Sequence, residues 1–217
     1  MTRIKICGIR DKNHALAAVE SGADFIGLVF APSRRQVSPV QALEIASAVK
    51  ESSNAAKVVG VFVNAPIFQI NETADFCGLD LVQLSGDESW EYCRKIANPV
   101  IKAIRIGRQS PEELYAQLSS ASELSNGRRV VTLLDSRVEG KYGGTGESFD
   151  WSLAQRVIKR FPVIIAGGLD PNNVATLIES VAPWGVDVSS GVETGGVKDT
   201  AKIKAFIEAV RKADDRR

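Results

Sequence analysis

The stretch Val163-Ile-Ile-Ala-Gly-Gly-Leu-Asp-Pro-Asn-Asn-Val174 carries the pattern that decides the fold. Its unbroken apolar run, Val163 to Ala166, is typical of a strand that is buried on both faces. Two glycines follow, and Asp170-Pro171 then predicts the capped start of a helix. A strand that passes through glycines into a helix leaves backbone N–H groups open to an anion, because no Cβ keeps the anion away.

A second strand end of the same kind lies further along the chain, in Gly185-Val-Asp-Val-Ser-Ser-Gly-Val-Glu193. Two adjacent strand ends of this type, near the end of a chain that alternates strands and helices, hold phosphate in an eight-fold barrel. We therefore expect a phosphate group to be bound by Gly167, Gly168, Ser189 and Ser190. The alternative is a pair of ordinary strand-to-helix turns.

The rest of the chain repeats a strand-then-helix unit. Strands are predicted at Ile4–Cys7, Phe25–Phe30, Val58–Val63, Leu81–Leu84, Val100–Ile106, Val130–Leu134, Val163–Ala166 and Val186–Val188. Helices are predicted at Lys12–Ser21, Pro39–Lys50, Ile67–Cys77, Ser89–Ala97, Pro111–Ser120, Trp151–Arg160, Asn172–Val181 and Thr200–Ala213. This alternation predicts a parallel sheet with helical crossovers.

The number of units favours one α/β domain over residues 1–217, a single (βα)8 TIM barrel at the short end of that fold's size range. A doubly wound open sheet is the alternative architecture. It is disfavoured because its glycine-rich turn would follow the first strand, whereas here the turn follows the seventh.

Composition excludes several classes of function. The 27 basic and 26 acidic residues leave a net charge of +1, which provides no electrostatic footprint for nucleic acid or anionic membrane. The N-terminus has no hydrophobic signal core and no apolar run is long enough to span a membrane, so we expect a cytoplasmic protein. Three cysteines without a CxxC pair indicate neither a disulfide framework nor a zinc site. With His14 as the one histidine and no clustered carboxylates, we expect neither a metal centre nor a Ser-His-Asp triad.

Catalytic groups in such a barrel lie at the carboxyl ends of the strands. Cys7 ends the first predicted strand, and a thiol there can act as a base if basic neighbours such as Lys5 or Arg10 lower its pKa. Asp135 follows the sixth strand, where burial would raise its pKa and suit it to donate a proton. The alternative for Cys7 is a buried thiol that serves only in packing, and the alternative for Asp135 is a structural carboxylate.

Two further features point to the same end of the barrel. Arg34 and Arg35 follow the second strand, and an arginine fork suits a substrate carboxylate, although a solvated charge pair is the alternative. The segment Ser136–Phe149 is glycine-rich and leaves the sixth strand directly after Asp135, which favours an active-site loop. Gln83 lies near the end of the fourth strand.

These residues together resemble one enzyme family, the phosphoribosylanthranilate isomerases of tryptophan biosynthesis. The matching segments run in order along nearly the whole chain: Lys5-Ile-Cys-Gly8, Gly27-Leu-Val-Phe30, Ser33-Arg-Arg-Gln-Val-Ser-Pro39, Gly60-Val-Phe-Val-Asn64, Val82-Gln-Leu84, Leu133-Leu-Asp135, Gly143-Gly-Thr-Gly146, Phe149-Asp-Trp151, Ala166-Gly-Gly-Leu169 and Val186-Asp-Val-Ser-Ser-Gly-Val-Glu193.

The resemblance implies a TIM barrel that catalyses an Amadori rearrangement of N-(5-phosphoribosyl)anthranilate without metal or organic cofactor. It implies that Asp135 is the general acid that opens the sugar ring and Cys7 the general base that removes the C2 proton. Arg35, with Arg34 as the alternative, would hold the anthranilate carboxylate. The phosphate would lie against Gly167, Gly168, Ser189 and Ser190.

The chain departs from the family at one position. Many members have histidine where this chain has Ser85, so any contribution of that histidine is missing or replaced. Two other functions remain as alternatives: a related phosphoribosyl-amine isomerase of histidine biosynthesis, which works with two aspartates, and a non-catalytic barrel that binds a phosphorylated metabolite. The expected partner is a phosphorylated small molecule, and the protein is expected to be a monomer or a homodimer.

Overall fold

The computed structural model describes residues 1–52, 56–106, 110–124, 130–135 and 157–217. Eight parallel strands form a closed barrel in chain order, and the first strand pairs with the eighth. The predicted TIM barrel is therefore confirmed, and the open sheet is excluded because a closed barrel has no edge strand.

The strands keep close to their predicted bounds. They are β1 Arg3–Cys7, β2 Phe25–Val29, β3 Lys57–Phe62, β4 Leu81–Leu84, β5 Val100–Arg105, β6 Val131–Asp135, β7 Val163–Ala166 and β8 Gly185–Val188. A short antiparallel hairpin of β9 Glu193–Thr194 and β10 Val197–Lys198 follows the barrel strands. The sequence did not predict this hairpin, since strands of two residues are too short for a pattern.

The helices of the described ranges are α1 Lys12–Glu20, α2 Pro39–Glu51, α3 Ile67–Cys77, α4 Trp90–Arg94, α5 Pro111–Leu124, α6 Val174–Val181 and α7 Thr200–Asp215. Local chemistry sets several of their ends. The side chain of Ser38 accepts from Gln41 N–H at 3.2 Å to cap α2, and Pro39 is its first residue. Gly78 ends α3 in the left-handed conformation, with φ 61°.

The start of α6 differs from the prediction. The sequence predicted a helix from Asn172 with Asp170-Pro171 at its start, but α6 begins at Val174. Asp170 Oδ1 accepts from the N–H groups of Asn172 and Asn173 at 2.7 and 3.1 Å, which holds these residues in a turn. The predicted loop Ser136–Phe149 lies outside the described residues, and so does most of the predicted helix Trp151–Arg160.

The core has two layers, and the inner one determines where the site lies. The outer layer joins the strands to the helices around them, whereas alternate strand residues fill the barrel interior. The interior cluster consists of Phe25, Val59, Ile101, Leu133, Ile164 and Ala166. No helix in the described ranges is both long and apolar enough to cross a bilayer.

Candidate active site at the carboxyl ends of the strands

The barrel register places Cys7 and Asp135 at the same mouth. Each is the last residue of its strand. Register partners in a parallel sheet point to the same face. Asp135 pairs with Ala166 of the interior cluster, while Cys7 pairs with Gly27 and Gly27 with Val59 of that cluster. Both side chains therefore point into the barrel at its carboxyl end.

Cys7 lies beside a buried ion pair. Lys5 Nζ donates to Asp187 Oδ1 at 2.9 Å, and the Lys5 side chain is fully buried. A Cβ placed on Gly27 would lie 2.9 Å from Cys7 Sγ and 3.1 Å from Lys5 Nζ. The thiol and the ammonium therefore converge over Gly27, and the missing side chain leaves room for both.

The electrostatics of Cys7 differ from the expectation. Burial raises the pKa of the Cys7 thiol, and the opposing effect of Lys5 reduces that rise without reversing it. The expected lowering of the pKa by basic neighbours is therefore wrong in its net direction. Burial would lower the pKa of Lys5, but Asp187 and Cys7 outweigh it and raise the pKa, so Lys5 stays an ammonium. Arg10, the other expected neighbour, donates to the backbone oxygen of Arg34 at 3.2 Å.

Asp135 is half-buried. The sequence predicted the sixth strand to end at Leu134, but Asp135 itself belongs to β6, and its backbone oxygen accepts from Ile106 N–H at 2.9 Å. Its register partner on β5 is Arg105, which puts a basic residue next to it at the mouth. Because Asp135 is part of the ladder, the register fixes the direction of its side chain.

The two turns predicted to hold phosphate lie next to each other. Gly167 and Gly168 adopt φ values of 100° and 65°, which favour glycine. A Cβ on Gly168 would meet no atom within 4 Å, so its backbone borders open space. A Cβ on Gly191 would collide with the backbone oxygen of Leu169, so the turn after β8 packs directly on the turn after β7. Ser189 is half-buried and Ser190 is exposed at the same place.

Arg35 and Arg34 converge on one carboxylate. Arg35 donates from Nε and Nη2 to the two oxygens of Glu193 at 2.6 and 2.9 Å, and Arg34 Nη2 donates to Glu193 Oε2 at 2.9 Å. Lys198 Nζ donates to Glu193 Oε1 at 2.8 Å. Burial alone would raise the pKa of Glu193, but hydrogen bonds from Arg35 and Lys198 lower it to about 2.

Gln83 also faces the interior, as the register partner of Ile101. Its Nε2 donates to Ser85 Oγ at 3.0 Å, whereas its buried Oε1 has no hydrogen-bond partner among the described residues. Ser85 therefore orients the amide of Gln83.

Sequence reasoning assigned no role to Asp187, Glu193 or Lys198. Asp187 could have been found from the sequence, because it is the one charged residue in an apolar strand, and its side chain points to the face opposite that of Val186 and Val188. Lys5 in β1 follows the same pattern, although it was expected only as a neighbour of the thiol. Glu193 and Lys198 carried no such signal, because they belong to the short hairpin. The described ranges contain no group of three or more histidine, cysteine or acidic residues placed to hold a metal.

Comparison with known proteins agrees with this geometry. The profile of the family described as N-(5'-phosphoribosyl)anthranilate (PRA) isomerase matches residues 4–209. A relative of that name from Dehalococcoides mccartyi is 46% identical over 217 residues, which cover 100% of this chain and 99% of the relative.

Two solved structures extend the comparison. The crystal structure of phosphoribosyl anthranilate isomerase from Thermotoga maritima is 41% identical, with a TM-score of 0.82, and the match covers 98% of this chain and 100% of that one. A crystal structure of the enzyme in complex with reduced 1-(o-carboxyphenylamino)-1-deoxyribulose 5-phosphate is 40% identical, with a TM-score of 0.78 and the same coverage. A full-length match at this identity shows common membership, and the chain belongs to the N-(5'-phosphoribosyl)anthranilate isomerase family.

Proposed function

We propose that this protein catalyses the Amadori rearrangement of N-(5'-phosphoribosyl)anthranilate to 1-(2-carboxyphenylamino)-1-deoxyribulose 5-phosphate in tryptophan biosynthesis. Membership of the N-(5'-phosphoribosyl)anthranilate isomerase family supports the choice of this substrate. The observation that carries the chemistry is the register, which directs Cys7 and Asp135 into one mouth of the barrel, beside two turns with open backbone.

The proposed reaction begins at the sugar ring. The Asp135 carboxyl protonates the ring oxygen, the C1–O bond breaks, and the anilino nitrogen supplies the electron pair that forms the C=N bond of the Schiff base. The Cys7 thiolate then removes the C2 proton, the electrons of that C–H bond form the C1=C2 bond of an enolamine, and the C=N electron pair returns to nitrogen. Protonation of C1 and loss of the C2 hydroxyl proton then give the ketone. Both steps are general acid–base catalysis, in which a proton donor and an acceptor are positioned within reach of the substrate.

Lys5 suits the second of these steps. The base must be a thiolate, and burial disfavours that charged form. An ammonium held beside the thiol by Asp187 offsets part of this cost, because an opposite charge favours the ionised form. We therefore expect activity to rise with pH as the thiolate population grows.

Two alternatives are less well supported. The related isomerase of histidine biosynthesis works with two aspartates, and here the first strand ends in Cys7. A non-catalytic binder of a phosphorylated metabolite would need the open turns but would need neither Cys7 nor Asp135 at the mouth.

Turnover of phosphoribosylanthranilate, followed as loss of anthranilate-type fluorescence, tests the proposal. We expect Cys7→Ser and Asp135→Asn each to lower kcat/KM by about 10²–10⁴-fold, the usual value of a general acid or base. Cys93→Ser, a buried thiol in α4, and Asp75→Asn, an exposed carboxylate in α3, are the matched controls. Near-wild-type rates in both site variants would show that the assigned roles are wrong.

The carboxylate contact is tested separately. Arg35→Ala should raise KM more than Arg34→Ala, because the Arg35 side chain is 15% exposed and held at the mouth, whereas that of Arg34 is 60% exposed. The reverse order would assign the substrate carboxylate to Arg34.

The remaining properties follow from the same proposal. The chain is proposed to act as one domain over residues 1–217, in the cytoplasm, on a phosphorylated small molecule. A monomer or a homodimer would serve equally, since every residue assigned to the site comes from one chain. Sedimentation of the purified protein decides between the two.

A further inference from the structure

Glu193 pairs with three cations near the mouth of the barrel, and the proposed reaction gives it no role. It is the first residue of the β9–β10 hairpin, and the hairpin register sets Lys198 directly opposite it. Its carboxylate accepts from Arg34, Arg35 and Lys198, and its side chain is only 4% exposed. With a pKa of about 2 it is ionised at every working pH.

The pairing fixes one edge of the Arg35 guanidinium. The two oxygens of Glu193 accept from Nε and Nη2 in a bidentate contact. The opposite edge of the guanidinium, which carries Nη1, can then donate to another group. The backbone of Gly8 packs closely against the same side chain, because a Cβ there would collide with Arg35 Cδ and lie 3.2 Å from Ser189 Oγ. Arg35 is thus clamped between the turn after β1, which begins beside Cys7, and the turn after β8.

The local charge leaves room for a further anion. Arg34, Arg35 and Lys198 bring three positive charges to the single negative charge of Glu193, a surplus of two. Lys198 is also anchored by the backbone oxygen of Ser189, to which its Nζ donates at 2.8 Å. Within the described ranges the other edge of the Arg35 fork has no partner, and an arginine held in this way with a positive surplus around it suits a planar carboxylate.

We propose that Glu193 is a positioning residue, which occupies one edge of the Arg35 fork so that the other edge is aimed at the carboxylate of the substrate's aromatic ring. The inference rests on the proposed isomerase function and adds a residue that determines specificity for a carboxylate. Glu193 itself touches no substrate atom in this account.

Charge and position predict opposite results for Glu193→Gln. If Glu193 acted only through its charge, its removal would raise the positive surplus and tighten binding of an anionic substrate. If it positions Arg35, binding weakens, because glutamine has one acceptor oxygen and an NH₂ group in place of the two oxygens that accept from Nε and Nη2, so the bidentate contact is lost. The direction of the change in KM therefore separates the two roles.

The experiment measures turnover of phosphoribosylanthranilate by wild type and Glu193→Gln, and calorimetric binding of two ligands. One ligand is reduced 1-(o-carboxyphenylamino)-1-deoxyribulose 5-phosphate, and the other is its counterpart with hydrogen in place of the carboxylate. Glu88→Gln is the matched control, since Glu88 is a buried carboxylate paired at 2.7 Å with Lys102, which points to the outer face of the barrel because its strand neighbour Ile101 points to the interior. It should lose stability without a change in KM.

We expect Glu193→Gln to raise KM, and the Kd of the carboxylate ligand, by about 10- to 100-fold, as for loss of a charge-assisted hydrogen bond. The change in kcat should stay within about threefold, because uniform binding is lost rather than transition-state stabilisation. The Kd of the ligand without a carboxylate should stay at its wild-type value.

An unchanged or lowered KM, or equal weakening of both ligands, would overturn the positioning role while leaving the isomerase function intact. Absence of turnover by the wild-type protein would instead overturn the proposed function, and this inference with it. A Glu193→Gln protein that fails to fold is replaced by Glu193→Asp, whose shorter side chain keeps the charge but not the bidentate reach, and the same rise in KM is expected.

Discussion

In the barrel interior, the pKa of the Cys7 thiol depends on its burial and on the charges of Lys5 and Asp187. Cys7 is not activated by a lowered pKa, since burial outweighs the ammonium of Lys5. In the proposed mechanism Lys5 pairs with the thiolate once it forms, and Asp187 holds Lys5 in place through a hydrogen bond of 2.9 Å. The three side chains therefore act as one electrostatic unit.

Substitution of Lys5 or Asp187 should shift the pH profile of kcat/KM, and the two substitutions should shift it in opposite directions. Lys5 lowers the pKa of Cys7 and Asp187 raises it. The ascending limb of the pH profile of kcat/KM reports ionisation of the Cys7 thiol in the proposed mechanism. Lys5→Met should therefore shift this limb to higher pH by about one to three units, the usual effect of one close opposite charge. Asp187→Asn should shift the limb to lower pH. The measurement is kcat/KM against pH for both variants and the wild type.

Lys57→Met, at the amino end of β3 with its side chain 57% exposed, is the control and should keep the wild-type limb. A limb that moves in the same direction in both site variants, or in neither, would contradict the role of the ion pair.

Elements were easier to predict than contacts, and the reason is physical. β4 and β7 occupy their predicted ranges, because β4 is bounded by Asp80 and Ser85 and β7 by Pro162 and Gly167. The start of α6 was predicted two residues too early, because Asn172 and Asn173 form a turn whose N–H groups donate to the side chain of Asp170 and the helix begins only at Val174. The number of residues in such a turn depends on geometry that a sequence pattern does not contain.

The candidate site was predictable only in part, for a similar reason. The strand ends identified Cys7 and Asp135, because a barrel places its strand ends at one mouth. The pairing of Arg35 with Glu193 joins residues far apart along the chain, and no spacing rule relates them. Family resemblance suggested Arg35 but not its partner.

The turn after β7 provides a test at the scale of one element. Gly168→Ala should raise KM for the phosphorylated substrate, because the added Cβ would enter the open space where the phosphate is proposed to lie. It should also destabilise the fold by about 1–2 kcal/mol, since φ is 65° there. The measurements are KM and the free energy of unfolding.

Gly22→Ala is the matched control. Gly22 has a φ of 102°, and a Cβ there would meet only Ile207 Cγ2, at 3.8 Å, but it lies between α1 and β2 at the amino end of the barrel. Its loss of stability should be similar and its KM nearly unchanged. Equal effects of the two variants on KM would remove the turn after β7 from the phosphate site.

The end of the barrel opposite the proposed active site holds contacts that fasten the last helix to the first strand. At the amino end, Asp214 of α7 accepts from Thr2 N–H and Thr2 Oγ1, both at 2.7 Å, and so fastens the last helix to the start of β1. Arg211 adds a bond from Nη1 to Thr2 O at 2.7 Å. These contacts lie at the end of the barrel opposite Cys7 and Asp135.

Asp214→Ala should therefore lower the free energy of unfolding by about 1–3 kcal/mol, the cost of leaving buried donors without a partner. Its kcat and KM should match the wild type below the unfolding transition. Asp215→Ala changes the exposed neighbour in the same helix and should alter neither quantity. Denaturant titration with activity measured on the same samples tests this, and a fall in kcat without a fall in stability would contradict this prediction.

The most direct test of the central claim is a crystal structure of this protein with reduced 1-(o-carboxyphenylamino)-1-deoxyribulose 5-phosphate. We predict the phosphate within about 2.7–3.2 Å of the backbone N–H groups of Gly168 and Ser190, with Cys7 Sγ and the Asp135 carboxyl group both facing the sugar carbons. A phosphate bound away from these turns, or a sugar that only one of the two side chains can reach, would contradict the account.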